Sequence, residues 1–239
     1  MSEYRKLSDA TISVVNDIFK DCGVLMDGHF VYASGRHGEF YVNKDALYVH
    51  PENVSKLCRI ISLLTTTLEF DVVASPAIGG VALTQWTAFH RSRPAELLEA
   101  ERFDLPKTAS RFTTASSVYC EKAETGGMEF RRGYDKVVAE SDGVLVVEDI
   151  LTTGGSALAT VKAVEALGGR VMGIAALCNR GGVTGEDLGV APDVPLYYLK
   201  SLNLKTWAPE ECPLCANGVE VNTNVGKGRQ FLADLGKAK

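Results

Sequence analysis

The sequence predicts an α/β fold in which a central, mostly parallel sheet lies between layers of helices. Three observations predict it. Short all-apolar runs, above all Val144-Leu145-Val146-Val147, read as strands buried on both faces. Stretches with apolar residues at helical spacing alternate with these runs, and glycine-bearing loops join the two kinds. The 239 residues can bury one large core, and 46% apolar with 23% charged residues is the balance of an ordered globular chain.

Taken in order, Ile12, Val15, Ile18 and Phe19 place an opening amphipathic helix over Asp9 to about Phe19, with Asp9 as its N-cap. The segment from His29 to Asn43 has Gly35 and Gly38 between aromatic and β-branched residues, which predicts two short strands and a bend outside the main sheet. Pro51 opens a second helix that runs to Leu68. Phe70 to Ala74 is a strand ending in Ser75-Pro76; Gly79-Gly80 and a helix over Val81 to Phe89 follow. Val118 to Cys120 is a further strand. Lys122 to Asp142 has no period of either kind, which predicts a long mobile loop, about 121–142. After the strand Gly143 to Val147 comes a helix over Ser156 to Leu167, stopped by Gly168-Gly169. Val171 to Leu177 and Leu196 to Leu199 complete the strands. The organisation predicted is one domain over 1–200, with a hood at about 23–45, and an irregular C-terminal extension over 201–239.

Net charge of −5 and a pI near 5.5 argue against a nucleic-acid partner and favour a small anion. The N-terminus has no signal-type apolar region, and no stretch nears the roughly 18 apolar residues of a membrane span. A cytoplasmic protein without membrane partners is predicted. Most of the six cysteines sit in apolar runs, where a thiol packs as a small hydrophobe. Cys212 and Cys215 have metal-ligand spacing, but they are two ligands where structural zinc takes four, and the histidines are only His29, His37, His50 and His90. No metal site is predicted in the protein.

The chemistry concentrates in Leu145-Val146-Val147-Glu148-Asp149-Ile150-Leu151-Thr152-Thr153-Gly154-Gly155-Ser156. Thr152, Thr153 and Ser156 can donate hydroxyl hydrogen bonds, and Gly154 and Gly155 let backbone N–H groups converge at a helix N-terminus, where an anion is favoured. Glu148 and Asp149 would repel a phosphate but accept hydrogen bonds from hydroxyls. A ligand with a phosphate at one end and a diol nearby meets both requirements, as ribose 5-phosphate does. No lysine follows Gly155, which excludes a Walker-type loop.

This run resembles the signature of type I phosphoribosyltransferases, enzymes that use phosphoribosyl pyrophosphate (PRPP), and the wider chain looks closest to a divergent branch of the orotate phosphoribosyltransferase family. Ser34-Gly35-Arg36 and Phe40-Tyr41-Val42-Asn43 are similar to that family's base-side hood. Pro76-Ala77-Ile78-Gly79-Gly80 is similar to its pyrophosphate loop, Asn179-Arg180 to the strand end bearing its orotate-binding arginine, and Trp207 to Cys215 to a tail of one branch. The chain departs from the pattern at Ala33 and Gly79, where the familiar members have lysines, and in the catalytic loop, where Arg131-Arg132 comes well after Tyr119-Cys120.

The resemblance implies transfer of ribose 5-phosphate from PRPP to orotate, giving orotidine 5'-monophosphate and pyrophosphate; the departures leave open another acceptor base or a non-catalytic PRPP-binding regulator. It implies that Thr152, Thr153, Gly154, Gly155 and Ser156 anchor the 5-phosphate, Glu148 and Asp149 hold the ribose hydroxyls, and Ala77, Ile78, Gly79 and Gly80 offer backbone donors to pyrophosphate. Lys122, Arg131 and Arg132 would close over the leaving group, and Arg180, Tyr41, Asn43 and Lys44 would hold orotate. Mg²⁺ held mainly by PRPP is the implied cofactor, and a homodimer the implied assembly.

Overall fold

A computed structural model describes residues 7–93, 114–202 and 204–237. Helix α1 (Asp9–Asp21) leads to strands β1 (Leu25–Val31) and β2 (His37–Val42), the short helix α2 (Lys44–Tyr48) and α3 (Pro51–Leu64). Then come β3 (Val72–Pro76), α4 (Val81–Arg91), β4 (Ser116–Lys122), β5 (Met128–Glu129), α5 (Tyr134–Ala139), β6 (Val144–Leu151), α6 (Gly155–Ala166), β7 (Val171–Asn179) and β8 (Leu196–Ser201). A 3₁₀ turn (Pro209–Glu211) and helices α7 (Pro213–Ala216) and α8 (Gly228–Lys237) follow.

These elements form two compact units, one holding Pro51–Leu202 with the start of α1, the other Asp17–His50 with the chain beyond Leu202. The first contains the six-stranded sheet, in the order β5-β4-β3-β6-β7-β8. All its pairings are parallel except that of the two-residue edge strand β5 with β4. Val144 to Val147 have essentially no exposure, because parallel strands with helices on both faces are buried on both sides. A packed cluster joins Val72, Val118, Val146 and Ile174 of the sheet to Ala157, Val161 and Val164 of α6.

The second unit is built on the β1–β2 antiparallel hairpin, with Leu25 opposite Val42 and Val31 opposite His37. Gly35, at φ 77°, turns the chain between the strands. The C-terminal segment lies against this hairpin through its backbone. His37 and Trp207 exchange both N–H···O bonds (2.8 and 2.9 Å), Asn222 N–H donates to His29 O (2.7 Å), and Lys227 N–H donates to Val31 O (2.7 Å). Arg36 also donates to the Thr206 hydroxyl and carbonyl, each at 2.8 Å.

Several sequence-based expectations need correction. Ser8, not Asp9, caps α1: its hydroxyl accepts the Thr11 N–H at 3.2 Å. The second helix ends at Leu64 instead of Leu68, where Thr65 and Thr66 hydroxyls turn back onto the carbonyls of Ile61 and Leu63. The aperiodic stretch 122–142 contains β5 and α5, and the C-terminal extension, expected to be irregular, carries α7 and α8. Among the described residues, no helix is long and apolar enough to cross a membrane.

Candidate active site

The strand order sets the position of the site. From β3 the chain moves outward to β4 and then returns to place β6 on the other side of β3, so the direction of winding reverses between β3 and β6. Ligands of open α/β sheets bind beyond the strand carboxyl ends at such a reversal. The β3–β6 ladder stops at Ala74 and Val146, whereas β6 stays paired with β7 as far as Leu151 and Asn179. The last five residues of β6 therefore border a crevice on the β3 side and are held firmly on the β7 side.

Glu148 and Asp149 lie in this stretch, only 6% and 4% exposed. Burial of two adjacent carboxylates is costly unless their oxygens are bonded. Glu148 Oε1 accepts the Asp149 N–H at 3.1 Å, and Asp149 Oδ1 accepts the Ile150 N–H at 2.6 Å. Beneath them, the Cys120 thiol bonds Ser75 O (3.4 Å) and the Thr160 hydroxyl (3.3 Å), and Thr160 in turn donates to Ser156 O (2.9 Å). Burial pushes the Cys120 thiol up, with the Glu148 carboxylate adding a smaller push in the same direction. With no exposed surface, Cys120 packs here as a small hydrophobe.

The chain then turns into α6. Gly154 has φ 75°, and a Cβ there would stand 2.7 Å from Leu188 Cδ2, so glycine is required by both conformation and space. Thr152, Thr153, Gly155 and Ser156 are exposed around the helix start, with the Gly155 N–H near Thr153 Oγ1 at 3.4 Å. This is the hydroxyl- and N–H-lined turn that the sequence predicts for a phosphate.

On the other side, Gly80 opens α4, and a Cβ on it would meet Ser75 Cβ at 2.4 Å, so the 77–80 loop folds tightly back over β3. The Ala77–Ile78 peptide is cis. Ala77 N–H donates to Cys120 O (2.8 Å), so it positions the loop and is not a donor for a ligand, contrary to the expectation for that residue. Pro76 pairs with Cys120, so β4 runs two residues beyond the end of β3 to Lys122, which pairs with Met128 of β5. Arg131 and Arg132 are engaged with acids of the β4–β5 hairpin: Arg131 with Glu129, and Arg132 with both oxygens of Glu121 at 3.0 Å.

Arg180 follows the last residue of β7. Its N–H and that of Gly181 both donate to Leu151 O (2.9 and 3.1 Å), which brings the 180–183 turn against the start of the Thr152–Ser156 turn. Asn179 braces that turn through Nδ2 to Val183 O (2.8 Å) and Oδ1 from Val183 N–H (2.9 Å). The bracing role of Asn179 goes beyond what the sequence suggests, where the one signal is its place two residues before Gly181-Gly182. Thus the structure gathers the 77–80 loop, Glu148 to Ser156, Lys122 and Arg180 at one edge of the sheet. Tyr41, Asn43 and Lys44 belong to the second unit, where Tyr41 packs its ring 5.5 Å from that of Phe30 and the Asn43 N–H donates to Val24 O at 2.7 Å.

A mostly parallel sheet with a buried acidic pair and a glycine turn at its winding reversal is the arrangement expected of a type I phosphoribosyltransferase. No protein-family model matches the chain. Proteins named orotate phosphoribosyltransferase from Sulfurovum sp. (strain NBC37-1) and Campylobacter lari are each 32% identical to it, over 85% and 86% of this chain and 94% and 95% of their own. The chain belongs to the orotate phosphoribosyltransferase family. Its fold is similar to that of the Mycobacterium tuberculosis orotate phosphoribosyltransferase solved with Fe(III) dicitrate, at TM-score 0.58 and 21% identity, covering 81% of this chain and 96% of that one. The structure of that enzyme in complex with PRPP gives TM-score 0.52 and 19% identity, covering 82% and 90%.

Proposed function

We propose that this chain transfers the ribose 5-phosphate of PRPP to orotate, releasing pyrophosphate and forming orotidine 5'-monophosphate. The observation that carries the reading is the buried Glu148–Asp149 pair where β6 borders the crevice, followed directly by the Thr152–Ser156 turn. The turn anchors the 5-phosphate, and the carboxylates accept hydrogen bonds from the ribose hydroxyls. Bond breaking at C1 gives an oxocarbenium-like sugar, whose positive charge two nearby carboxylates stabilise. Arg180 suits the orotate carboxylate, which a guanidinium can grip with two parallel bonds. Family resemblance adds Tyr41, Asn43 and Lys44 on the base side, and Lys122, Arg131 and Arg132 around the leaving group. For Arg131 and Arg132 that role requires exchange of Glu129 and Glu121 for pyrophosphate.

Magnesium fits this reading as an ion carried mainly by the substrate. Glu148 and Asp149 each have one carboxylate oxygen engaged by a backbone N–H group. The ion supplies charge neutralisation of the leaving pyrophosphate, with PRPP oxygens and water as its main ligands. A cytoplasmic homodimer accompanies the reading by family resemblance, and sedimentation velocity reads the assembly directly.

The test is an assay with PRPP, Mg²⁺ and orotate, run beside a panel of other bases. Orotate consumption with matching pyrophosphate release is the expected result; turnover of another base alone, or PRPP binding without turnover, would overturn it. Asp149→Asn should lower kcat/KM for PRPP about 100-fold, the equivalent of ~2.7 kcal/mol in transition-state stabilisation. Arg180→Ala should raise the KM for orotate far more than that for PRPP, and an equal effect on both would remove Arg180 from the base site.

A further inference from the structure

Four side chains from distant parts of the sequence meet inside the second unit: His29 of β1, His37 at the start of β2, and Cys212 and Cys215 around the start of α7. One ligand atom from each lies within 4.8 Å of all the others. We propose that these four residues bind one zinc ion, which fastens the C-terminal segment to the β1–β2 hairpin.

The distances match the chemistry. Zinc bonds of about 2.05 Å to nitrogen and 2.3 Å to sulfur in a tetrahedron place N and S ligands about 3.6 Å apart and two N ligands about 3.3 Å apart. The observed separations are 3.6 and 3.7 Å from His29 Nε2 to the two sulfurs, 3.4 Å from His37 Nδ1 to Cys215 Sγ, and 2.9 Å between the two nitrogens. Only the last is somewhat short for a metal-bound pair, and it is the distance two neutral imidazoles reach when one donates to the other. Behind His29, its Nδ1 donates to Val219 O at 2.7 Å, which fixes the tautomer that leaves the Nε2 lone pair facing the cluster. The His37 ring is held edge-on by Phe231, with centroids 4.7 Å apart.

A second observation concerns why the segment needs a fastener. Among the described residues after Leu202, Cys212, at 2% exposure, is the one side chain that is fully buried. Apolar burial therefore contributes little to holding this segment, and a unit this small gains its stability from staples when its core is thin. Two thiolates and two neutral imidazoles around Zn²⁺ give a site of zero net charge, so the buried ion needs no outside counter-charge. Binding releases one proton from each thiol. The tetrahedral N₂S₂ set with all positions filled by protein is that of a structural zinc and leaves no place for a reacting water.

The proposal does not rest on the PRPP reading, and its test measures no catalysis. The full chain, purified without added metal and dialysed, should carry close to one zinc per chain by elemental analysis, and Cys212→Ser/Cys215→Ser should carry none. Exchange into Co²⁺ should give the thiolate-to-cobalt charge-transfer band and visible d–d bands of tetrahedral cobalt. Cys215→Ser, altered at the surface end of the cluster, serves as a folded control by circular dichroism and should lose most of the charge-transfer intensity. Zinc removal should open the chain after Lys227 and Arg229 to trypsin. Absence of zinc with no cobalt bands, a Cys212–Cys215 disulfide in the purified protein, or equal zinc in the double variant would overturn the proposal.

Discussion

Individual residues at the crevice are constrained to different degrees, and Gly181 is among the most constrained. A Cβ at this position would stand 1.7 Å from the carbonyl oxygen of Thr152, a backbone atom that cannot swing aside. Gly181→Ala should therefore displace the phosphate turn and raise the KM for PRPP about tenfold or more, ~1.4 kcal/mol in binding, while the circular dichroism spectrum stays that of the parent. An unchanged KM would show that the turn can yield. The sequence made Glu148, Asp149 and the Thr152–Ser156 turn legible because each carries a chemical requirement that residue type alone expresses. It could not show that Ala77 N–H is committed to Cys120 O, or that Asn179 braces the Arg180 turn, since both depend on which strands neighbour each other.

Among the elements, α4 offers a clear energetic test at its last turn. Arg91 is 1% exposed, its guanidinium sits 4.3 Å above the Phe70 ring, and it donates to Leu68 O at 2.7 Å in the turn that follows α3. Burial holds its pKa below the usual arginine value. Arg91→Met keeps much of the volume but leaves the Leu68 carbonyl without this donor, and should cost about 2 kcal/mol, read as a lower urea midpoint with an unchanged slope. Element boundaries were legible to within a residue or two where a period persisted, as in α1 and α6. They were not where partners decided them: β6 continues through Glu148 and Asp149 to Leu151 because β7 supplies a ladder that far, and polar residues at a strand end look like loop in a sequence. The two residues of β5 are too few for any periodicity, and β5 exists because β4 offers an edge.

For the molecule as a whole, buried thiols set a response to alkali. Burial pushes Cys58 and Cys178 up to about 12 from their ordinary value of 9.0, against smaller opposing effects from Thr87 for Cys58 and from Arg180 and Lys200 for Cys178. Below pH 9 both thiols are protonated whether the chain is folded or not, and their contribution to stability is complete. Between about pH 9 and pH 12 the unfolded chain ionises first and the folded chain binds more protons, so stability falls as pH rises, by about 1.4 kcal/mol per pH unit for each thiol. Urea midpoints measured from pH 8 to 11 should drop, and Cys58→Ala/Cys178→Ala should flatten the difference between the pH 8 and pH 11 values; parallel slopes would mean that other groups dominate.

By itself the sequence determined the layered α/β architecture, the acidic pair and the hydroxyl- and glycine-rich turn at the end of a buried strand, and the family resemblance that the similar proteins bear out. These follow from local physics, because periodicity, turn chemistry and the order of residue types along one segment need no knowledge of distant partners. Tertiary structure alone decided the winding reversal that opens the crevice between β3 and β6, the pairing of Arg131 and Arg132 with hairpin acids, and the meeting of His29 and His37 with Cys212 and Cys215. The CPLC motif looked short of ligands because its two histidine neighbours lie more than 170 residues earlier in the chain, and only the folding of the C-terminal segment onto the β1–β2 hairpin brings them within bonding range.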